Sequence, residues 1–99
     1  MITVLNKRTH RGGGEYIGRP SPLGNPFVIG PDGDRAAVID QYEQWLTEIW
    51  NKGGKNAQLT ELFRLAEIHR KQDLLTLLCW CAPRPCHGDI IADFVRRAT

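Results

Sequence analysis

The segment that most constrains the fold is a run of five residues, Leu74 to Leu78, which is apolar except for Thr76. A run this short is typical of a β-strand covered on both faces, because a buried helix needs roughly ten residues or more. Strands buried in this way belong mostly to parallel sheets with helices packed on them. A cysteine-rich and proline-rich stretch follows at 79–86, so the chain leaves the sheet there. The run therefore predicts an α/β fold with a buried strand late in the chain.

Helical spacing of apolar residues predicts three helices. The first begins after Asp34, a good N-cap, and ends at Gly53-Gly54. The second covers residues 57–70, and the third begins near Gly88-Asp89. The residues predicted to face the core are Val38, Tyr42, Trp45, Leu46 and Ile49 in the first helix, Leu59, Leu62, Phe63 and Ala66 in the second, and Ile90, Ile91, Phe94 and Val95 in the third.

Two further short strands are predicted at Ile2–Leu5 and Tyr16–Gly18, with a brief extended piece at 27–29. Strands therefore come first, followed by helices, the buried strand and a closing helix. This order predicts a small, partly parallel, Rossmann-like sheet of three or four strands with about three packed helices. With 99 residues, the chain is expected to form a single domain, residues 1–99.

Composition narrows the functional classes. No apolar run approaches membrane length, and Met1 to Asn6 lacks the apolar core of a signal peptide, so we expect a cytoplasmic protein with no membrane partner. The formal charge of +2 is too small to indicate nucleic-acid binding by itself. The basic cluster at Lys7, Arg8 and Arg11 also lacks interleaved aromatic residues. The three cysteines, all within eight residues, form no secreted disulfide framework.

The segment Gly18 to Phe27 holds three prolines and two glycines in ten residues. Proline restricts the residue before it to extended backbone, and the residues restricted here are all polar: Arg19, Ser21 and Asn25. A guanidinium group suits phosphate or carboxylate, and glycine permits close approach of a ligand. We interpret the segment as a preorganised anion-binding loop, against the alternative of a rigid turn. The predicted ligand-binding residues are Gly18, Arg19, Ser21, Gly24 and Asn25, with Arg84 from the second segment.

The second segment, Cys79 to Asp89, holds four residues of types that bind zinc: Cys79, Cys81, Cys86 and His87. Their spacing is unlike a Cys-x-x-Cys knuckle. On a regular strand Cys79 and Cys81 would lie about 7 Å apart on one face. The neighbours Cys86 and His87 would diverge. Zinc is therefore kept as the alternative cofactor, with these four residues as its ligands.

The preferred interpretation places the second segment at a strand-to-helix junction. Ligands in α/β sheets bind beyond the carboxyl ends of the strands. A helix N-terminus lowers the pKa of a thiol, so Cys86 is predicted as a catalytic thiolate and His87 as its proton donor or acceptor. A third interpretation is packing alone, because free cysteine is among the most buried residue types.

Together the two segments resemble a widespread, uncharacterised domain family of bacteria and their phages. Its members pair Gly-Arg-x-Ser-x-Leu-Gly-Asn-Pro-Phe, here residues 18–27, with Leu-x-Cys-Trp-Cys-x-Pro-x-x-Cys-His, here residues 77–87. The resemblance implies that the two segments belong to one site. It implies no catalytic residues.

The residues favour a small protein that binds or processes a nucleotide-like or phosphorylated molecule, with an anionic small molecule as partner. One alternative is a zinc-stabilised interaction module, carried by the cysteine cluster. Another is a phage accessory protein that binds a host protein through an exposed apolar patch. Nucleic acid is the partner that the sequence favours least.

Overall fold

The computed structural model describes residues 1–99 as three β-strands and three α-helices. The strands are β1 (Ile2–Asn6), β2 (Glu15–Tyr16) and β3 (Leu75–Cys79), and the helices are α1 (Arg35–Lys52), α2 (Ala57–Gln72) and α3 (His87–Ala98). The strands run parallel in the order β1-β3-β2. The predicted α/β class is confirmed, with three strands that are all parallel.

The central strand β3 is the predicted apolar run, displaced by one residue. It pairs with β1 from Ile2↔Leu75 to Asn6↔Cys79 and with β2 at Tyr16↔Leu78. All its residues except Thr76 are buried. Because the strands are parallel, their carboxyl ends lie at the same edge of the sheet.

Each helix begins at a polar or sulfur-containing cap. The Asp34 carboxylate accepts a hydrogen bond from the Ala37 amide (2.8 Å), as the sequence predicts for α1. Asn56 caps α2 in the same way, accepting from the Leu59 amide at 2.8 Å. Cys86 is the N-cap of α3, so this helix begins within the second segment, residues 79–89. None of the three helices is both long enough and apolar enough to span a lipid bilayer.

The core forms where all three helices meet the sheet. Its largest fully buried side chains include Tyr42, Leu46, Leu62, Leu65 and Phe94. The prediction for Phe63 was wrong, since this side chain is 52% exposed and Leu65 faces the core instead. Residues 27–29 form no strand.

Candidate functional site

A cleft of 410 Å³ opens at the carboxyl ends of β2 and β3. Both segments singled out in the sequence line it, together with the first turns of α1. This is where ligands bind in open parallel sheets. Its volume lies within the range of small-molecule sites, about 300–1,000 Å³.

The loop from Gly18 to Phe27 uses most of its polar groups to hold its own shape. The Ser21 amide donates to the Gly18 carbonyl, and the Gly24 amide donates to the Ser21 carbonyl, both at 2.8 Å. The Ser21 hydroxyl accepts from the Leu23 amide at 3.3 Å. Ser21 therefore closes the turn and does not line the cleft.

Asn25 fastens this loop to α1. Its side-chain oxygen accepts from the Phe27 amide (2.9 Å), and its amide nitrogen donates to the Val38 carbonyl (3.2 Å). The Asn25 carbonyl in turn accepts from Arg19 Nε at 2.9 Å. This bond orients Arg19 and leaves its two Nη groups without a carboxylate partner.

Tyr42 of α1 holds the loop at residues 18–27 from the core side. This fully buried residue donates from its hydroxyl to the Leu23 carbonyl at 2.7 Å. Burial raises the pKa of Tyr42 above its ordinary value, with Cys86 adding to the effect, so the hydroxyl stays a donor. The Tyr42 ring also meets the His87 ring edge-on, with 5.2 Å between centroids. One side chain thus contacts both walls of the cleft.

Tyr16 and Trp80 bridge the rim. The Tyr16 hydroxyl donates to the Arg19 carbonyl (2.8 Å) and accepts from the indole nitrogen of Trp80 (3.0 Å). Trp80 is held in place by this bond although its side chain is 53% exposed. A fixed, exposed aromatic ring at the mouth of a cleft is available to a planar ligand.

The thiols of Cys79 and Cys86 are packed together. Their Sγ atoms lie 3.4 Å apart in a buried position. Cys86 Sγ accepts from the Gly88 amide at 3.3 Å, and the Asp89 carboxylate accepts from the Cys86 amide at 3.3 Å. Burial and the hydrogen bond with Cys79 raise the pKa of Cys86 to about 12. Burial thus acts on the Cys86 thiol in the direction opposite to the helix N-terminus and disfavours the predicted thiolate.

His87 is buried with its two ring nitrogens in different surroundings. Nε2 lies 2.7 Å from the Ile17 carbonyl oxygen, so it must carry the proton. The His87 Nδ1 atom has no protein partner. It is not a buried atom either, because the one buried side-chain nitrogen or oxygen atom without a partner is His69 Nδ1. Because His87 lines the cleft, its Nδ1 opens onto that space. Burial lowers the pKa of His87, and the nearby Arg19 charge lowers it further, so the ring is neutral at pH 7.

Two guanidinium groups give the cleft its charge. Arg19 belongs to the loop, and Arg35 is the first residue of α1. Arg35 donates to the Pro85 carbonyl at 3.3 Å and forms no ion pair. No aspartate or glutamate lines the cleft. An anion entering it would therefore meet two cations and no opposing carboxylate.

The four proposed zinc ligands do not form a metal site. No group of three or more histidine, cysteine, aspartate or glutamate side chains is arranged to hold a metal ion. Cys81 lies apart from the buried Cys79–Cys86 pair at an intermediate exposure. The His87 nitrogen Nε2 is committed to a carbonyl. The zinc alternative therefore stays a prediction that this arrangement does not support.

The cleft contains only part of the predicted residue set. Those lining it are Gly18, Arg19, Asn25, Cys79, Cys81, Cys86 and His87. Those outside it are Ser21, Gly24 and Arg84. Gly24 is buried against backbone, since a Cβ there would lie 3.0 Å from the Arg19 amide nitrogen. Arg84 is exposed and does not line the cleft, although its neighbour Pro85 does.

Sequence reasoning gave no site role to Tyr16, Arg35 and Trp80, which line the cleft with polar or aromatic side chains. Tyr16 was predicted only as part of a strand, and Trp80, interpreted as a core residue rather than a base-stacking platform, is instead 53% exposed. Arg35 carried no local signal at all, because its place depends on α1 packing beside residue 85, fifty positions along the chain.

Comparison with known proteins identifies a family and no further relative. The sequence profile of a family described as a domain of unknown function (DUF4326) matches residues 4–97. No curated protein matches the chain, and no solved structure does so. The match covers both walls of the cleft.

Proposed function

The chain belongs to the DUF4326 family, a domain of unknown function, and we propose that it binds a phosphorylated, nucleotide-like small molecule in the cleft. In this proposal the phosphate lies against Arg19 and Arg35, and a planar base lies against the aromatic rim. The ligand is held between the loop at 18–27 and the junction at 79–87.

The observation that carries the proposal is the pair of unpaired guanidinium groups in a cleft without carboxylates. The arginines of the chain that form salt bridges are Arg64, Arg70 and Arg96, each paired with a nearby acid. Arg19 and Arg35 instead bond only to carbonyl oxygens, which leave the positive charge uncompensated. Guanidinium groups held in this way suit the oxygens of a phosphate.

The apolar part of the cleft supports a ligand that is more than a free anion. Phe27, Ile29 and Trp80 line its outer half, and Val38 and Ile39 line the α1 side. Ile29 and Trp80 are about half exposed, at 49% and 53%. Aromatic rings exposed beside cations are used to stack nucleobases, at about 1–3 kcal/mol per base. Inorganic phosphate would leave this surface uncovered.

Isothermal titration calorimetry with a ligand panel tests the proposal. The panel comprises inorganic phosphate, ADP-ribose, and the mono- and diphosphates of the four common ribonucleosides. We expect a nucleotide to bind and inorganic phosphate to bind far more weakly. Replacing Arg35 by alanine removes a charged hydrogen-bond donor worth about 1.5–3 kcal/mol, so the affinity should fall roughly 10- to 150-fold.

Arg84→Ala is the matched control, because it removes an arginine from the same region that does not line the cleft. It should change affinity by less than about threefold, since exposed long-range charges are screened. Arg19→Ala should behave like Arg35→Ala. The proposal is wrong if no panel member binds, or if Arg84→Ala weakens binding as much as Arg35→Ala.

A further inference from the structure

Among the side chains of the cleft that carry nitrogen or oxygen, His87 alone has an acceptor atom that forms no hydrogen bond within the protein. The neutral ring donates from Nε2 to the Ile17 carbonyl (2.7 Å), which fixes the proton on that nitrogen and leaves a lone pair on Nδ1. The edge-on contact with Tyr42, at 5.2 Å between ring centroids, holds the ring plane. The acceptor is thus fixed in position and in tautomer.

The oxygen acceptors of the other side chains that line the cleft already accept a hydrogen bond within the protein. Asn25 uses its side-chain oxygen on the Phe27 amide. The Tyr16 hydroxyl accepts from Trp80 while it donates to the Arg19 carbonyl. Cys86 Sγ accepts from the Gly88 amide, and no carboxylate is present. A ligand that brings a hydrogen-bond donor into this cleft therefore finds His87 Nδ1.

The position of this acceptor restricts the chemistry of the donor. Arg19 and His87 line the same cleft, and the Arg19 charge acts on the ring, so a donor bound to Nδ1 would lie close to the anionic group of the ligand. An ammonium donor would be repelled by Arg19 and Arg35. A neutral hydroxyl group would not be repelled. Hydroxyl groups a few bonds from a phosphate are characteristic of sugar phosphates.

We propose that His87 Nδ1 accepts a hydrogen bond from a sugar hydroxyl and that the ligand is a ribosyl phosphate. His87 would then distinguish this ligand from an analogue that lacks the hydroxyl group. This inference rests on the proposed function and adds the class of sugar. It assigns His87 to recognition, with Arg19 and Arg35 on the phosphate.

A comparison of two matched ligands tests the inference on the unaltered protein. The ribonucleoside diphosphate that binds most tightly in the panel is compared with its 2′,3′-dideoxy counterpart by calorimetry. Base and phosphates are identical in the two, so only the hydroxyl groups differ. Loss of one hydrogen bond to a neutral acceptor should weaken binding by roughly three- to tenfold. Ribose 5-phosphate, as a third ligand, separates a free sugar phosphate from a whole nucleotide as the natural source of the hydroxyl.

The same ligand pair is then measured with His87→Leu, which has no acceptor. The ratio of the two affinities should fall to about one, whatever the variant does to the affinity that both ligands share. A merely structural role would weaken both ligands equally and leave the ratio unchanged, which would overturn the inference.

Nitrogen-15 NMR of the unaltered protein provides a second measurement that does not depend on the stability of the variant. The Nδ1 resonance should shift when the ribonucleotide binds and should stay in place with the dideoxy ligand. Equal shifts with both ligands, or equal affinities for both, would refute the role of His87 and leave phosphate binding intact. Absence of any nucleotide binding would instead refute the proposed function itself.

Discussion

The two walls of the cleft differ in their burial and in the contacts that hold them. The loop wall, residues 18–27, is largely exposed around Arg19 and spends its polar groups on internal hydrogen bonds. The junction wall, residues 79–87, is buried at Cys79, Cys86 and His87 and is held by sulfur and backbone contacts. The loop wall thus contributes charge, and the junction wall contributes shape and one acceptor.

This contrast shows that a conspicuous motif residue need not be a ligand contact. Ser21 and Asn25 look like binding groups in the sequence, yet their side chains close turns and fasten the loop to α1. Cys86 looks like a nucleophile, yet it caps a helix. The groups left free to meet a ligand are the Arg19 and Arg35 guanidinium groups and His87 Nδ1.

The largest effect on this arrangement should come from Tyr42, the residue that contacts both walls. Tyr42→Ala removes a fully buried ring, so the free energy of unfolding should fall by about 3–5 kcal/mol, as for other large aromatic residues. Tyr42→Phe keeps the ring and loses only the hydroxyl bond to Leu23, which should cost about 1–3 kcal/mol. Urea unfolding measures both. Equal losses for the two variants would mean that the ring itself contributes nothing to holding the walls.

Two glycines allow the walls to be disturbed one at a time. At Gly24 a Cβ would meet the backbone of Arg19 at 3.0–3.1 Å, so Gly24→Ala should open the loop wall at a cost of about 1–3 kcal/mol. At Gly88 a Cβ would lie 2.8 Å from Val4 and 3.0 Å from Ile17, which disturbs the junction wall. Gly88→Ala should cost somewhat less, because alanine favours a helix by about 0.5–1 kcal/mol over glycine.

Calorimetry on the same two variants separates the contributions of the walls to binding. Gly24→Ala should lower the affinity for all phosphate-bearing ligands. Gly88→Ala should reduce the preference for the ribonucleotide over its dideoxy counterpart. Gly13→Ala is the control, since a Cβ there meets nothing within 4 Å. It should change stability by no more than about 0.5 kcal/mol. The same binding defect in both cleft variants would contradict the division between the walls.

A smaller effect is expected at Cys86, where the thiol acts as a helix cap. Serine is a preferred N-cap, so Cys86→Ser should change the free energy of unfolding by no more than about 1 kcal/mol, and Cys86→Ala should cost more. Nucleotide affinity should stay within about twofold in the serine variant. A folded Cys86→Ser protein that no longer binds nucleotide would show that the thiol takes part in binding and is more than a helix cap.

Local sequence signals predicted the elements well, because caps and short-range periodicity act within a few residues. Asp34 and Gly53 mark the ends of α1, and the apolar run at 74–78 marks β3. Phe63 was misplaced because it lies four residues after Leu59, whereas Leu65 follows Leu62 by three, so the periodicity allows an inward face on either side. Packing against α3 decides between them, and the Phe63 ring instead stacks near Trp50 at the surface, 6.1 Å between centroids.

The composition of the site depended on contacts that no local pattern reveals. Arg35 reaches the cleft only because α1 lies beside Pro85. Burial raises the pKa of Cys86, and so does Cys79, which β3 brings within 3.4 Å in the core. The sequence placed Cys86 correctly at a helix N-terminus. That position lowers the pKa of a thiol, but burial at the same position raises it. Long-range packing, rather than motif chemistry, therefore determines which groups remain available to a ligand.

The finest test of the two walls is their electrostatic coupling through Arg19 and His87. Burial lowers the pKa of His87, Arg19 lowers it further, and Asp89 opposes them. In the unfolded chain the pKa of His87 returns to about 6.5. Below that pH the unfolded chain binds a proton that the folded protein resists, so stability is complete above about pH 6.5 and falls as the pH drops towards the folded pKa.

Urea unfolding at about pH 7.5 and pH 5.5 should show a loss of stability on acidification that is smaller in His87→Gln. In Arg19→Ala the pKa of His87, followed by NMR, should rise towards its ordinary value, because one of the charges that disfavour the imidazolium is gone. Arg84→Ala should leave the pKa of His87 unchanged. If Arg19→Ala also leaves it unchanged, the loop wall does not act on the junction wall, and the charge and the acceptor are too far apart to hold one ribosyl phosphate together.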